Sequence, residues 1–145
     1  MNKHLVSEIF KMVDSATSTQ DKIKVLKTHQ ENADLTATIV NMFHSGVQFH
    51  FDKLPDYKPL KGHIDMGMIS YAQALKKTYL FIKGDKRASP NMTQKQRETL
   101  LIQLLESLSA EEAEVFGHMI MKKSGVKGLT KGLIKNTWPS MKMGE

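Results

Sequence analysis

Residues 93–123 read TQKQRETLLIQLLESLSAEEAEVFGHMIMKK, and their spacing decides the fold class. Leu100, Leu101, Leu104 and Leu105 fall at intervals that gather on one face of a helix, and Thr93 stands where an N-cap belongs. The spacing predicts a helix from Thr93 through Ser107. Ser109-Ala-Glu-Glu112 then has the form of a capping box, in which hydroxyl and carboxylate each satisfy the other residue's orphan backbone N–H. It opens a further helix through about Lys123, with Val115, Met119 and Ile120 turned inward. Two capped amphipathic helices back to back, with no alternating pattern between them, set the expectation of an all-α fold.

The same pattern extends towards the N-terminus. Leu5, Ile9, Met12 and Val13 mark a first helix, closed by the turn-like Asp14-Ser15-Ala16-Thr17-Ser18. Thr19 is placed to cap a second, with Ile23 and Leu26 inside and Lys22, Lys24 and Lys27 outside. A third runs from about Asp34 to His44 on Leu35, Ile39, Val40 and Phe43, with Ser45-Gly46 expected to form a left-handed C-cap. In VQFHFDKLPDYKPLKG (47–62) the alternation of Val47, Phe49 and Phe51 suggests a short extended piece, and Pro55 and Pro59 forbid a helix through it. A fourth helix is expected from Met68 to Ile82, ending at Gly84, and KGDKRASPNM (83–92) reads as a linker within the fold. The sum is one domain over residues 1–145, a compact bundle of six to seven short helices.

Composition narrows the function classes. The chain has no cysteine, which excludes disulfides, thiolate metal sites and cysteine nucleophiles. No apolar run reaches the roughly 18 to 20 residues that span a bilayer, so no membrane partner and an intracellular location are expected. The six histidines show no H-x-x-x-H or H-E-x-x-H spacing, and neither a phosphate-binding loop nor a nucleophile elbow is present. The expectation is therefore no catalytic residue, no metal and no cofactor. Glu111, Glu112 and Glu114 suit a helix start and read as solvated. Most of the ten methionines fall on apolar helix faces, where they fill gaps in the core.

Charge supplies the one functional signal. The net charge is +6, yet residues 1–121 hold 15 Lys and Arg against 14 Asp and Glu. Residues 122–145 hold six lysines against Glu145 alone. An excess confined to one end indicates an anionic partner, most often nucleic acid. Within MKKSGVKGLTKGLIKNTW (121–138), Lys127, Lys131 and Lys135 repeat at i, i+4, i+8 and are expected on one face of a closing helix. Leu129, Leu133, Ile134 and Trp138 pack beneath. Gly125 and Gly128 are expected to end the preceding helix and to let the backbone approach a phosphate or a minor groove.

The run EAEVFGHMIMKKSGVKGLTKGLIKNTWPSM (112–141) resembles the end of the N-terminal DNA-binding domain of T-even phage ATP-dependent DNA ligases. Two further stretches, HSGVQFHFDKLPDYKP (44–59) and STQDKIKVL (18–26), resemble that domain's aromatic-rich basic loop and its early helical junction, in the same order. The resemblance implies an all-helical domain gripping duplex DNA, nicked duplex included, across the minor groove. Carried over residue by residue, Lys122, Lys123, Ser124, Gly125, Lys127, Gly128, Thr130, Lys131 and Lys135 match the DNA-contacting turn and the short helix after it. Lys53 and Lys58 match the loop's basic positions, and Trp138-Pro139 the pair that closes the domain. The K-x-D-G motif bearing the ligase's AMP-accepting lysine is absent. The expectation is a stand-alone, monomeric, non-enzymatic duplex-DNA binder in phage replication or repair, in the cytoplasm of the infected bacterial host. The alternative is an adaptor, derived from a ligase domain, that contacts a phage or host replication or transcription protein.

Overall fold

The computed structural model describes residues 5–58, 69–88, 91–123, 125–126 and 128–139. Among them the fold is all-α: α1 Val6–Ser15, α2 Thr19–Thr28, α3 Ala33–Phe43, α4 Tyr71–Leu75, α5 Gln94–Glu106, α6 Ala110–Ile120 and α7 Lys131–Thr137, with a 3-10 turn at Thr78–Phe81. Helix α6 is the axis, packing against α1, α3 and α5 at once. Its sequence explains this: Ala113, Val115, Phe116, Met119 and Ile120 are all buried, an apolar surface too wide for one neighbour to cover. Helix α2 joins α1 to α7, and α4 lies on α3.

Short polar side chains set most helix starts. Ser18, Asn32, Ser70, Thr93, Ser109 and Thr130 each accept a backbone N–H from the first turn of the helix they open. The cap of α2 is thus Ser18 rather than Thr19. At α6 only half of the expected box forms: the Ser109 hydroxyl accepts from the Glu112 N–H, and the Glu112 carboxylate takes that hydroxyl's own proton. Glu112 is buried, not solvated as its neighbours suggest, because its hydroxyl partner draws it inward. Leu5, expected in the core, is the N-cap of α1 and half exposed.

The helix expected over 68–82 is broken. A capping box of Ser70 and Gln73 opens α4, which stops at Leu75. The chain then tightens into the 3-10 turn and emerges extended at Ile82, opposite Phe49 in an antiparallel bridge. His50 N–H donates to Phe81 O (2.9 Å) and Lys83 N–H to Gln48 O (2.7 Å). Burial of Phe51 and Phe81, whose rings meet at 5.9 Å, favours this pairing over continuing the helix. The extended piece expected at Val47–Phe51 therefore exists, with its partner supplied by residues assigned to a helix.

Two helix ends also differ. The left-handed C-cap expected at Ser45-Gly46 does not form: α3 ends at His44 in an extended conformation, and Gly46 N–H donates to His44 Nδ1 (2.9 Å). Helix α6 ends before the glycines. Lys122 N–H bonds Met119 O (3.0 Å) and Lys123 N–H bonds His118 O (2.9 Å), the paired pattern of a Schellman motif. The left-handed position, usually a glycine, is Lys122 at φ 60°.

Candidate nucleic-acid interface

Helix α7 is seated by its apolar residues. Leu129, Leu133, Ile134 and Trp138 are buried, and the side chain of Gln30, in the turn after α2, donates to Thr137 O at its far end. At the near end the Lys22 stem lies against Gly128, where an added Cβ would stand 3.1 Å from Lys22 Cε. Those two contacts run α2 and α7 side by side in the same direction. Outside their packed faces lie Lys24 and Lys27 on α2 and Lys131 and Lys135 on α7, with Lys131 half-buried and the others exposed. Asp21 is the one carboxylate that the two helices carry.

Two of the lysines hold helix ends. Lys122 Nζ donates to Asn41 O (2.9 Å) and His44 O (2.7 Å), closing the open carbonyl end of α3. Burial, together with the nearby charge of Lys131, lowers its pKa to about 8. Lys22 does the same for α1, its Nζ donating to Val13 O (2.8 Å) and Ala16 O (2.7 Å). These two ammonium groups are occupied holding helix C-termini, where the macrodipole favours a cation. Lys122 was expected to contact DNA and Lys22 to be a plain surface residue; both are cross-links between elements.

Lys123 is exposed, and Gly125 and Gly128 are exposed at positive φ of 69° and 83°. Ser124 and Lys127 lie outside the described residues. Helix α7 begins only at Lys131, so the expected row of three lysines on one helix reduces to Lys131 and Lys135. Thr130 caps that helix through Leu133 N–H (3.3 Å), so part of the donor set expected to meet a phosphate is used internally. Lys53 and Lys58 are exposed on the loop before α4, and Lys58 N–H donates to Glu106 of α5 (2.8 Å). That bond ties Lys58 to α5 rather than to the α2–α7 pair.

The sequence reading missed that α2, which exposes Lys24 and Lys27, packs against α7, because nothing local records which helix α2 will meet. It also missed a second basic group. Lys83, Lys86 and Arg97 gather around His50 near the Phe49–Ile82 bridge, where residues 83–92 read as linker.

The model of a family of unknown function, DUF6433, matches residues 9–125. The chain belongs to this family. The family match takes in α2 to α6, most of α1 and the Schellman turn, and stops at Gly125, ahead of α7. No curated protein matches the chain. Among the described residues no helix is long and apolar enough to cross a membrane, and no group of three acidic or histidine side chains is placed to hold a metal ion.

Proposed function

We propose that this protein binds duplex DNA, nicked duplex included, without catalysis and largely without sequence preference, through the paired lysine faces of α2 and α7. The observation that supports this reading is the packing of α2 against α7, two helices that expose Lys24, Lys27 and Lys135, half-bury Lys131 and carry Asp21 as their one carboxylate. Lysines at the ends of flexible stems neutralise phosphates and carry no base code. Neither helix bears an Arg, and Gln20 and Asn136 are the only side-chain amides on the two, which leaves little for bidentate base reading. Lys123, Gly125, Gly128 and Thr130 flank the surface, while Lys122 acts behind it by holding α3. The resemblance to phage ligase DNA-binding domains supports a role in phage DNA replication or repair within the infected host.

Fluorescence anisotropy against intact, nicked and single-stranded DNA tests the reading. Duplex binding is expected at low salt, and Lys27→Glu with Lys131→Glu, one change on each helix, should remove most of it. Undiminished binding by that variant overturns the assignment of the surface. No binding to any DNA at low salt transfers the same surface to an acidic protein partner, as the adaptor reading requires.

A further inference from the structure

A cavity of about 400 Å³ opens where the Phe49–Ile82 bridge meets α5. It is lined by the apolar Leu80 and Ile82 and by His50, Asp85, Lys86 and Arg97. Lys83 lies close enough for its charge to act on His50. The lining is held in place by a relay: Arg97 Nη1 donates to Gln94 Oε1 (3.1 Å), and Gln94 Nε2 donates to His50 O (2.7 Å). Among the described residues the one carboxylate lining the cavity is already engaged. Asp85 takes two hydrogen bonds from the Arg87 guanidinium (2.9 and 2.6 Å), which holds its pKa down to about 2, and Arg87 in turn sits 5.0 Å over the Tyr79 ring. Among the described residues that line the cavity, what remains is the His50 imidazole, the Arg97 guanidinium and the Lys86 ammonium, with the Lys83 charge nearby.

We propose that this cavity is a phosphate-binding site, in which Arg97, Lys86 and Lys83 neutralise a phosphate oxyanion and His50 donates to it. A guanidinium offers paired donors to a phosphate, and convergent cations in a concavity raise the local anion concentration. The site by itself disfavours a charged His50: burial and the charges of Arg97 and Lys83 lower its pKa from the ordinary histidine value. An oxyanion reverses that balance. Its binding should raise the His50 pKa and should itself tighten as pH falls through the histidine range. The site is separate from the α2–α7 surface and does not depend on it.

The ligand chemistry is shared by free phosphate esters and by the phosphodiesters of nucleic acid, so the test uses three probes. The imidazole resonances of His50 are followed by NMR during titration with inorganic phosphate, with adenosine monophosphate and with a short DNA duplex. Phosphate is expected to move them, to raise the His50 pKa and to bind about tenfold more weakly to Arg97→Gln. If adenosine monophosphate competes and duplex does not, the natural ligand is a small phosphate ester; if duplex moves His50 and Arg97→Gln weakens it, the ligand is a nucleic-acid backbone. Either result supports the site. A His50 signal unmoved by all three probes, or a response unchanged in both Arg97→Gln and Lys83→Gln, overturns it. The Lys27→Glu, Lys131→Glu variant should keep the phosphate response, so failure of the DNA surface and failure of this site are read apart.

Discussion

Lys122 joins two opposed costs in one residue. A left-handed conformation costs a non-glycine residue about 1–2 kcal/mol, whereas a hydrogen bond from a charged donor contributes about 1.5–3 kcal/mol. With two such bonds to α3, the bonds win. Lys122→Met keeps the strain and loses both bonds, so a loss of about 2 kcal/mol is expected after allowing for solvent reaching a half-buried group. Lys122→Gly loses the bonds but relieves the strain, and should be about 1 kcal/mol less damaging. Urea unfolding should rank wild type above Lys122→Gly above Lys122→Met; a glycine variant more stable than wild type would show that the ammonium does not hold α3. The glycines allow a cleaner separation. Gly84 (φ 80°) has open space where a Cβ would stand, whereas a Cβ on Gly125 (φ 69°) would lie 2.3 Å from the His118 ring. Gly84→Ala should cost about 1 kcal/mol from strain alone. Gly125→Ala should cost more, and His118→Ala in that background should recover only the excess.

At the scale of elements, α7 is too short to persist alone: seven residues fall below the length at which an isolated helix is stable. Its order comes from Leu133, Ile134 and Trp138 beneath it and from Gln30 at its end. Trp138→Ala should cost about 3–5 kcal/mol if the surroundings do not collapse into the space. Hydrogen exchange should then quicken in α7 before it does in α3 or α6. Helix α4 is held differently. The Tyr71 hydroxyl lies 2.8 Å from Thr38 Oγ1, whose proton goes to Asp34 O (2.8 Å), so Tyr71 is the donor; its ring meets Phe116 edge-on at 6.2 Å. Tyr71→Phe keeps the ring contact and should cost about 1 kcal/mol, the value of one neutral hydrogen bond.

For the whole molecule, alkaline pH separates half-buried Lys122 from buried Tyr71, whose effects on stability have opposite signs. The folded-state pKa of Lys122, about 8, lies below the unfolded lysine value near 10.4, so between those pH values the unfolded chain holds more protons. This lysine's contribution to stability therefore grows as pH rises from about 8 towards 10. Tyr71 is pushed up by burial from the ordinary tyrosine value, so above about pH 10 the unfolded chain ionises first and stability falls. Unfolding measured across this range should lose its rise in Lys122→Met and part of its fall in Tyr71→Phe. Ionic strength tests the surface as a whole. With four or so lysines on phosphates, log affinity for duplex should fall against log salt with a slope of about −4.

The amino-acid sequence by itself determined the helices and most of their starts. Apolar spacing and a Ser, Thr or Asn at the first turn are local properties; α5 was legible almost to the residue, whereas α6 stops at Ile120 rather than at the expected Lys123. It also determined where the excess positive charge lies. Tertiary structure decided the rest, because each remaining choice depended on a group far along the chain. Residues 78–82 left the helical pattern only because Phe49 was there to pair with Ile82. The end of α3 needed no glycine because Lys122, some eighty residues later, covers its carbonyls. The same reach changed the candidate site. Lys122 was drawn out of the basic surface, α2 with its Lys24 and Lys27 was packed against α7, and a linker's lysines met His50 and Arg97. Periodicity reports which face of a helix is apolar, but only packing reports which helix that face will meet.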